Sequence, residues 1–151
     1  MSRINSKRLT AACYGTSAVA SVFMGLLYLL SHEFMPYHAD ALSLEWNSLS
    51  PELQVLLLAL MRVAGGGFLC VAIIVSFLIW FPFREGRTWA RIALPITILV
   101  VYVPTLIATL SVTANTPATA PWYGPALSVI FTLVGALIDW RGNSSDDIQT
   151  S

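Results

Sequence analysis

Charge is what this chain has least of. Asp, Glu, Lys and Arg make up 11% of its 151 residues, where soluble domains carry about 25%. The eight basic and eight acidic residues cancel, so there is no net basic field to recruit nucleic acid, and that partner class is excluded. Cysteine is nearly absent. Cys13 and Cys70 both fall inside apolar runs, with no CxxC or other metal spacing, so they read as small packing hydrophobes. Their expected depths, one near the inner surface and one nearer mid-membrane, argue against a disulfide. There is no HExxH, no GxSxG, no P-loop and no pair of intramembrane carboxylates. The sequence leaves open whether the chain is an enzyme and leans against it.

What is present is hydrocarbon. Hydrophobic residues make up 56% of the chain, and mean hydropathy is +0.72. The apolar residues gather into four segments, about 9–30, 51–81, 89–112 and 121–140. Each is long enough for the roughly 20 residues that a spanning helix needs. The first follows a basic start like that of a signal peptide, but it is too long for an h-region and no A-x-A-like site follows it, so it reads as a retained helix. The second opens on Ser50, Pro51 and Glu52: a capping oxygen, a first-turn proline and an acid at the positive end of the helix. It exceeds the hydrocarbon thickness and must tilt or protrude. Pro95 and Pro104 are expected to kink the third. The predicted fold is all-α, a polytopic integral membrane protein with four transmembrane helices in an antiparallel bundle.

Basic residues orient it. Arg3, Lys7, Arg8, Arg84, Arg87, Arg91 and Arg141 all fall on one side of this topology, which the positive-inside rule makes cytoplasmic. Both termini are then inside a bacterial plasma membrane, and the polar stretch 141–151 reads as a flexible cytoplasmic tail. Trp80, Trp89 and Trp140 mark the inner boundary, Trp46 and Trp122 the outer. In the outer loop, 31–50, Leu42, Trp46, Leu49 and Leu53 recur at helical spacing and predict a short amphipathic helix in the interface. The loop 113–120 reads as a plain connector.

Apolar burial cannot hold helices together in lipid, so small residues and polar contacts must. Ser17, Ser21 and Gly25 on the first segment, Gly65, Gly66 and Gly67 on the second, and Gly124, Ser128, Thr132 and Ala136 on the fourth are the predicted packing faces. Arg62 is the costliest residue, at about 2.5–3.5 kcal/mol if central in the bilayer. With Glu33, Gln54, Thr105 and Thr109 it forms a predicted outer-half polar cluster. That cluster serves as an interhelical clamp, Arg62 to Glu33 or to carbonyls freed by Pro104, or as a site for an anion or polar head group. Simple snorkelling of Arg62 is the third option. A second candidate is the run His32 to His38. His32, Met35 and His38 carry donors suited to copper, zinc or haem iron, but not at a known motif spacing. Loop docking and proton exchange are the other readings of these histidines. Asp139, beside Trp140 and Arg141, reads as an interfacial residue with a local ion pair.

The four short helices, and a basic residue leading into glycines in Arg62-Val63-Ala64-Gly65-Gly66-Gly67, resemble small bacterial membrane proteins of the DoxX-like kind. The resemblance implies an accessory role loosely associated with redox or respiratory modules, and carries no catalytic residues over. The leading expectation is a non-enzymatic accessory or binding protein holding a lipid or quinone-like molecule at the outer-half cluster, with no cofactor. The alternative is a metal- or haem-binding electron-transfer subunit using the His/Met run. A small oligomeric transporter comes third, because the inner halves of segments one and two offer almost no ionisable residue. The expected partners are the lipid bilayer and a membrane protein or a second copy of the chain.

Overall fold

The computed structural model describes residues 3–147. Among them the chain is helical throughout its ordered elements: α1 (Arg3–Leu30), α2 (Pro36–Leu42), α3 (Pro51–Leu78), α4 (Thr88–Asn115) and α5 (Tyr123–Asp147), with a 3₁₀ turn at Trp46–Ser48 and a π-helical turn at Ile79–Phe83 that prolongs α3. Four of the helices are long and apolar enough to cross a membrane. Their outward faces are greasy: Val19, Val63, Ile73 and Val100 are 66–75% exposed. An apolar surface of that extent is stable in lipid and a liability in water.

The helices outrun the apolar runs that predict them. α1 starts before residue 9, and α5 continues past Trp140 to Asp147, so the first part of the polar tail is helical; residues 148–151 lie outside the described residues. Backbone hydrogen bonding does not stop where side-chain apolarity does. α3 begins as expected, with Ser50 Oγ accepting the Leu53 N–H. It ends where Pro82, which has no N–H to give, is absorbed by widening the last turn to π. Gly86 then adopts φ +80°, its N–H donates to Phe83 O, and Arg87 N–H donates to Pro82 O. This pair of bonds is the Schellman cap that a left-handed glycine permits. α4 runs unbroken through Pro95 and Pro104.

α1 packs along both α3 and α5, and α4 packs along α5 with a thinner contact to α3. α1 and α3 approach most closely where Gly25 meets Gly65. A Cβ on Gly65 would sit 2.9 Å from Gly25 O, and one on Gly25 would sit 2.7 Å from Leu69 Cγ. α1 and α5 close where Thr10 Oγ1 donates to Gly135 O at 3.3 Å. The core between them holds Tyr14, Phe68, Val75, Leu94, Ile98 and Tyr102.

A second, smaller core lies under the 31–50 loop: Phe34, Leu49 and Met61, with Trp46 packed against them. The single amphipathic helix expected over Leu42–Leu53 does not form. Ser43 turns left-handed at φ 53°, capping α2 through Ser43 N–H to Asp40 O and Leu44 N–H to Ala39 O, and Glu45 is extended. The loop helix instead occupies Pro36–Leu42.

Candidate functional site

α1 and α5 touch at one end and part at the other. A Cβ on Gly135 would lie 3.1 Å from Cys13 Cβ and from the Tyr14 ring, whereas nothing lies within 4 Å of a Cβ on Gly124. The divergence leaves a cavity of about 420 Å³. α1 supplies Phe23, Met24, Leu27 and Tyr28; the start of α2 roofs it with Met35, Pro36 and Tyr37; Phe68 and Tyr102 close the back; Thr105 and Thr109 line the α4 side, and Gly124 and Pro125 the α5 side. Phe23 and Tyr123, 66% and 62% exposed, stand at its mouth. The walls are overwhelmingly apolar and, among the described residues, include no charged side chain. A concave, apolar site with a few placed polar groups is the usual form of a small-molecule site.

The polar atoms of the cavity differ in what they have left to offer. Tyr102 O–H donates to Ser17 O at 3.1 Å and shares a 2.8 Å hydrogen bond with Ser21 Oγ, so its single hydrogen is committed. Thr105 donates back to Val101 O, and Thr109 to Thr105 O and Leu106 O, which satisfies both within the helix. Tyr28 and Tyr37 share one hydrogen bond at 2.7 Å. Two hydroxyls carry two hydrogens, and their mutual bond uses one. Tyr37 lies in the loop helix, where burial, then its bond to Tyr28, pushes the phenol well above its ordinary value, so it stays protonated and able to donate.

No family model, curated protein or solved structure matches the chain. The residues themselves must therefore carry the reading.

Of the predicted polar cluster, Thr105 and Thr109 reach this cavity and the others do not. Arg62 is exposed on α3, Glu33 is exposed beyond the end of α1, and among the described residues no hydrogen bond or ion pair joins either to a partner. The clamp from Arg62 to Glu33 is thus corrected. Its premise, an arginine three turns deep, fails because α3 overshoots α1. Gly65, one turn further along α3, already lies against Gly25 and Leu29 near the end of α1, so Arg62 is level with the point where the chain leaves α1. Gln54 serves the loop: its Nε2 donates to Trp46 O at 2.9 Å and to Leu49 O at 3.5 Å, tying the 3₁₀ turn to α3.

The His/Met run is not gathered into a ligand set. His32 is exposed. His38 Nδ1 accepts the Met35 N–H at 3.3 Å, which commits that nitrogen and leaves Nε2 carrying the proton. Burial lowers the imidazole below its ordinary value. Phe34 and Tyr37 flank the ring. Met35 lines the cavity. Among the described residues no three His, Cys, Asp or Glu side chains are placed to hold a metal.

The predicted packing residues divide in two. Ser17, Ser21, Gly25, Gly65, Ser128 and Thr132 are buried between helices; Gly66, Gly67 and Gly124 are exposed, and a Cβ on any of these three would meet nothing. The packing face expected of three consecutive glycines is therefore corrected: one helical step of 100° turns only Gly65 toward α1. At the opposite end of the molecule Arg91 Nε donates to Asp139 Oδ2 at 2.6 Å, and its Nη2 to Asp139 O at 2.9 Å. Sequence spacing pointed Asp139 toward its neighbour Arg141 and missed this cross-helix partner. Beside the pair is a cavity of about 30 Å³ lined in part by Ser6, Lys7 and Gly86, room for about one or two waters.

Proposed function

We infer that the chain is a small membrane protein of accessory or binding type that takes a lipid or quinone-like molecule from the bilayer into the cavity between α1, α4 and α5. The observation that carries this is the cavity itself: about 420 Å³, walled by apolar side chains, free of charge and flanked by exposed Phe23 and Tyr123. Arg62 is not among the residues that line this cavity.

The membrane frame rests on several supports. About 27 Å of α3 separates Arg62 from Trp80, at about 1.5 Å per residue, close to the roughly 30 Å of bilayer hydrocarbon. An antiparallel bundle accounts for the pairing of Thr10 with Gly135, Gly25 with Gly65 and Arg91 with Asp139. Lys7 Nζ lies against the Gly86 turn, next to Arg84, Arg87 and Arg91, and the positive-inside rule makes this end cytoplasmic in a bacterial inner membrane. α2 then lies at the outer interface, with exposed Leu42 and Leu44 beside polar Ser43 and Glu45. Transport through the bundle has no comparable support, because behind the cavity Tyr102 is buried and hydrogen-bonded to buried Ser17 and Ser21.

Gly124→Leu tests the reading. Gly124 lines the cavity and nothing lies within 4 Å of a Cβ there, so a leucine can be added at the cavity wall without moving backbone. Native mass spectrometry of protein released from lipid nanodiscs should show an apolar adduct on the parent and its loss in Gly124→Leu, with thermal stability retained. Equal adducts on both proteins would sink the assignment.

A further inference from the structure

The geometry points to an uncharged head group carrying a carbonyl-type acceptor as the part of the ligand that the site recognises, anchored by the hydroxyl hydrogen that the Tyr28–Tyr37 pair leaves over. The inference rests on the cavity reading above and narrows it. Three observations support it. Among the described residues no Lys, Arg, His, Asp or Glu side chain lines the cavity, so a phosphate, carboxylate or ammonium head would be desolvated there without a counter-charge. The other cavity hydroxyls behind the mouth have already spent their hydrogens, Tyr102 on Ser17 O or Ser21 Oγ and Thr105 and Thr109 on α4 carbonyls. Among the described residues that line the cavity, only the tyrosine pair, fixed at 2.7 Å between α1 and the loop helix, retains a donor that is not at the exposed rim. A buried donor without an acceptor is costly, and a neutral carbonyl oxygen supplies the acceptor without bringing charge.

The same pair explains how head and tail are arranged. Tyr28 and Tyr37 sit at the α2 end, while Phe23 at the mouth and Phe68 at the back are pure hydrocarbon. Tyr28 stands edge-on to Phe68, with centroids 6.3 Å apart, which holds its ring in place independently of Tyr37. The head is therefore bound under α2, and the chain leaves past Phe23 toward lipid. A ring carbonyl of a quinone and an ester carbonyl of a neutral acylglycerol share this chemistry.

The test uses the full chain in phosphatidylcholine nanodiscs with four probes: decylubiquinone, dioctanoylglycerol, monodecyl phosphate and decane. At least one of the two neutral carbonyl probes should bind about tenfold more tightly than monodecyl phosphate or decane, and the tighter of the two identifies the ring or the ester as acceptor. The variants separate donor from shape. Tyr28→Phe and Tyr37→Phe each free the remaining hydroxyl to donate, so each alone should keep nearly full affinity. The double variant removes the last donor and should lose about tenfold, the worth of one buried hydrogen bond, while decane binding stays unchanged. Should the double variant not fold, the ranking of the four probes on the parent protein decides alone. Monodecyl phosphate binding as tightly as the carbonyl probes, or a folded double variant with undiminished carbonyl binding, overturns the head-group inference. If Gly124→Leu leaves every probe bound as in the parent, the cavity reading itself has failed.

Discussion

At the scale of single residues, three adjacent glycines show how much one position in a helix turn decides. Gly65 faces α1 with 2.9 Å available where a Cβ would need more, whereas Gly66 and Gly67 face open space. Gly65→Ala should cost about 1–3 kcal/mol, because two backbones must separate. Gly66→Ala should be neutral or stabilising by up to about 1 kcal/mol through helix propensity. Thermal unfolding in detergent of the two variants distinguishes them, and equal effects would contradict the crossing at Gly25. The Arg62–Gly67 run thus contributes one contact residue, Gly65. His38 is a second case. Its lowered pKa means the folded state holds it neutral while the unfolded chain protonates near 6.5. The stability this lends is present above about pH 6.5 and is lost as pH falls from there toward the folded value. Docking of α2 should therefore weaken on acidification, read as a change in Trp46 fluorescence, and His38→Gln should remove that change below about pH 6.5.

At the scale of elements, the long helices were legible and their joints were not. Apolar runs locate α1, α3, α4 and α5 because lipid-facing and core-facing sides are both hydrocarbon, and Ser50-Pro51-Glu52 announces the start of α3. The break at Ser43 was not legible: serine rarely takes a left-handed backbone, so the Leu42–Leu53 spacing carried the expectation of a helix straight across it. Long-range pairs are equally silent in sequence, and Arg91–Asp139 is the strongest of them. Its side chains are 20% and 12% exposed, and it fastens α4 to α5 at the end opposite the larger apolar cavity. Asp139→Leu alone should cost about 1–3 kcal/mol, because the guanidinium loses its carboxylate and keeps only the Asp139 backbone carbonyl, whereas Arg91→Met with Asp139→Leu should recover much of that loss. Equal stability of the single and double variants, by thermal unfolding, would show that the pair is not coupled.

At the scale of the whole molecule, the site is the consequence of a mismatch between helices. α3, at 33 residues with its π turn, is about 50 Å long and rises beyond the end of α1. The 31–50 loop packs on its protruding turns through Phe34, Leu49 and Met61, with Gln54 holding the 3₁₀ turn in place. That docking sets α2 over the gap between α1 and α5, and the gap becomes a roofed cavity. Met35, Thr105, Thr109 and Gly124 were each noticeable in the sequence for another reason. Tyr28, Tyr37 and Tyr102 were not, because a tyrosine in an apolar run declares nothing until its partner on a distant helix is known. The most direct test of the account is a density map of the protein in a lipid nanodisc. Elongated density is expected to run from Tyr28 and Tyr37 under α2 past Phe23 into the bilayer, with α1 and α5 parted at Gly124. A map in which α1 closes onto Gly124, leaving no space beneath α2, would contradict it.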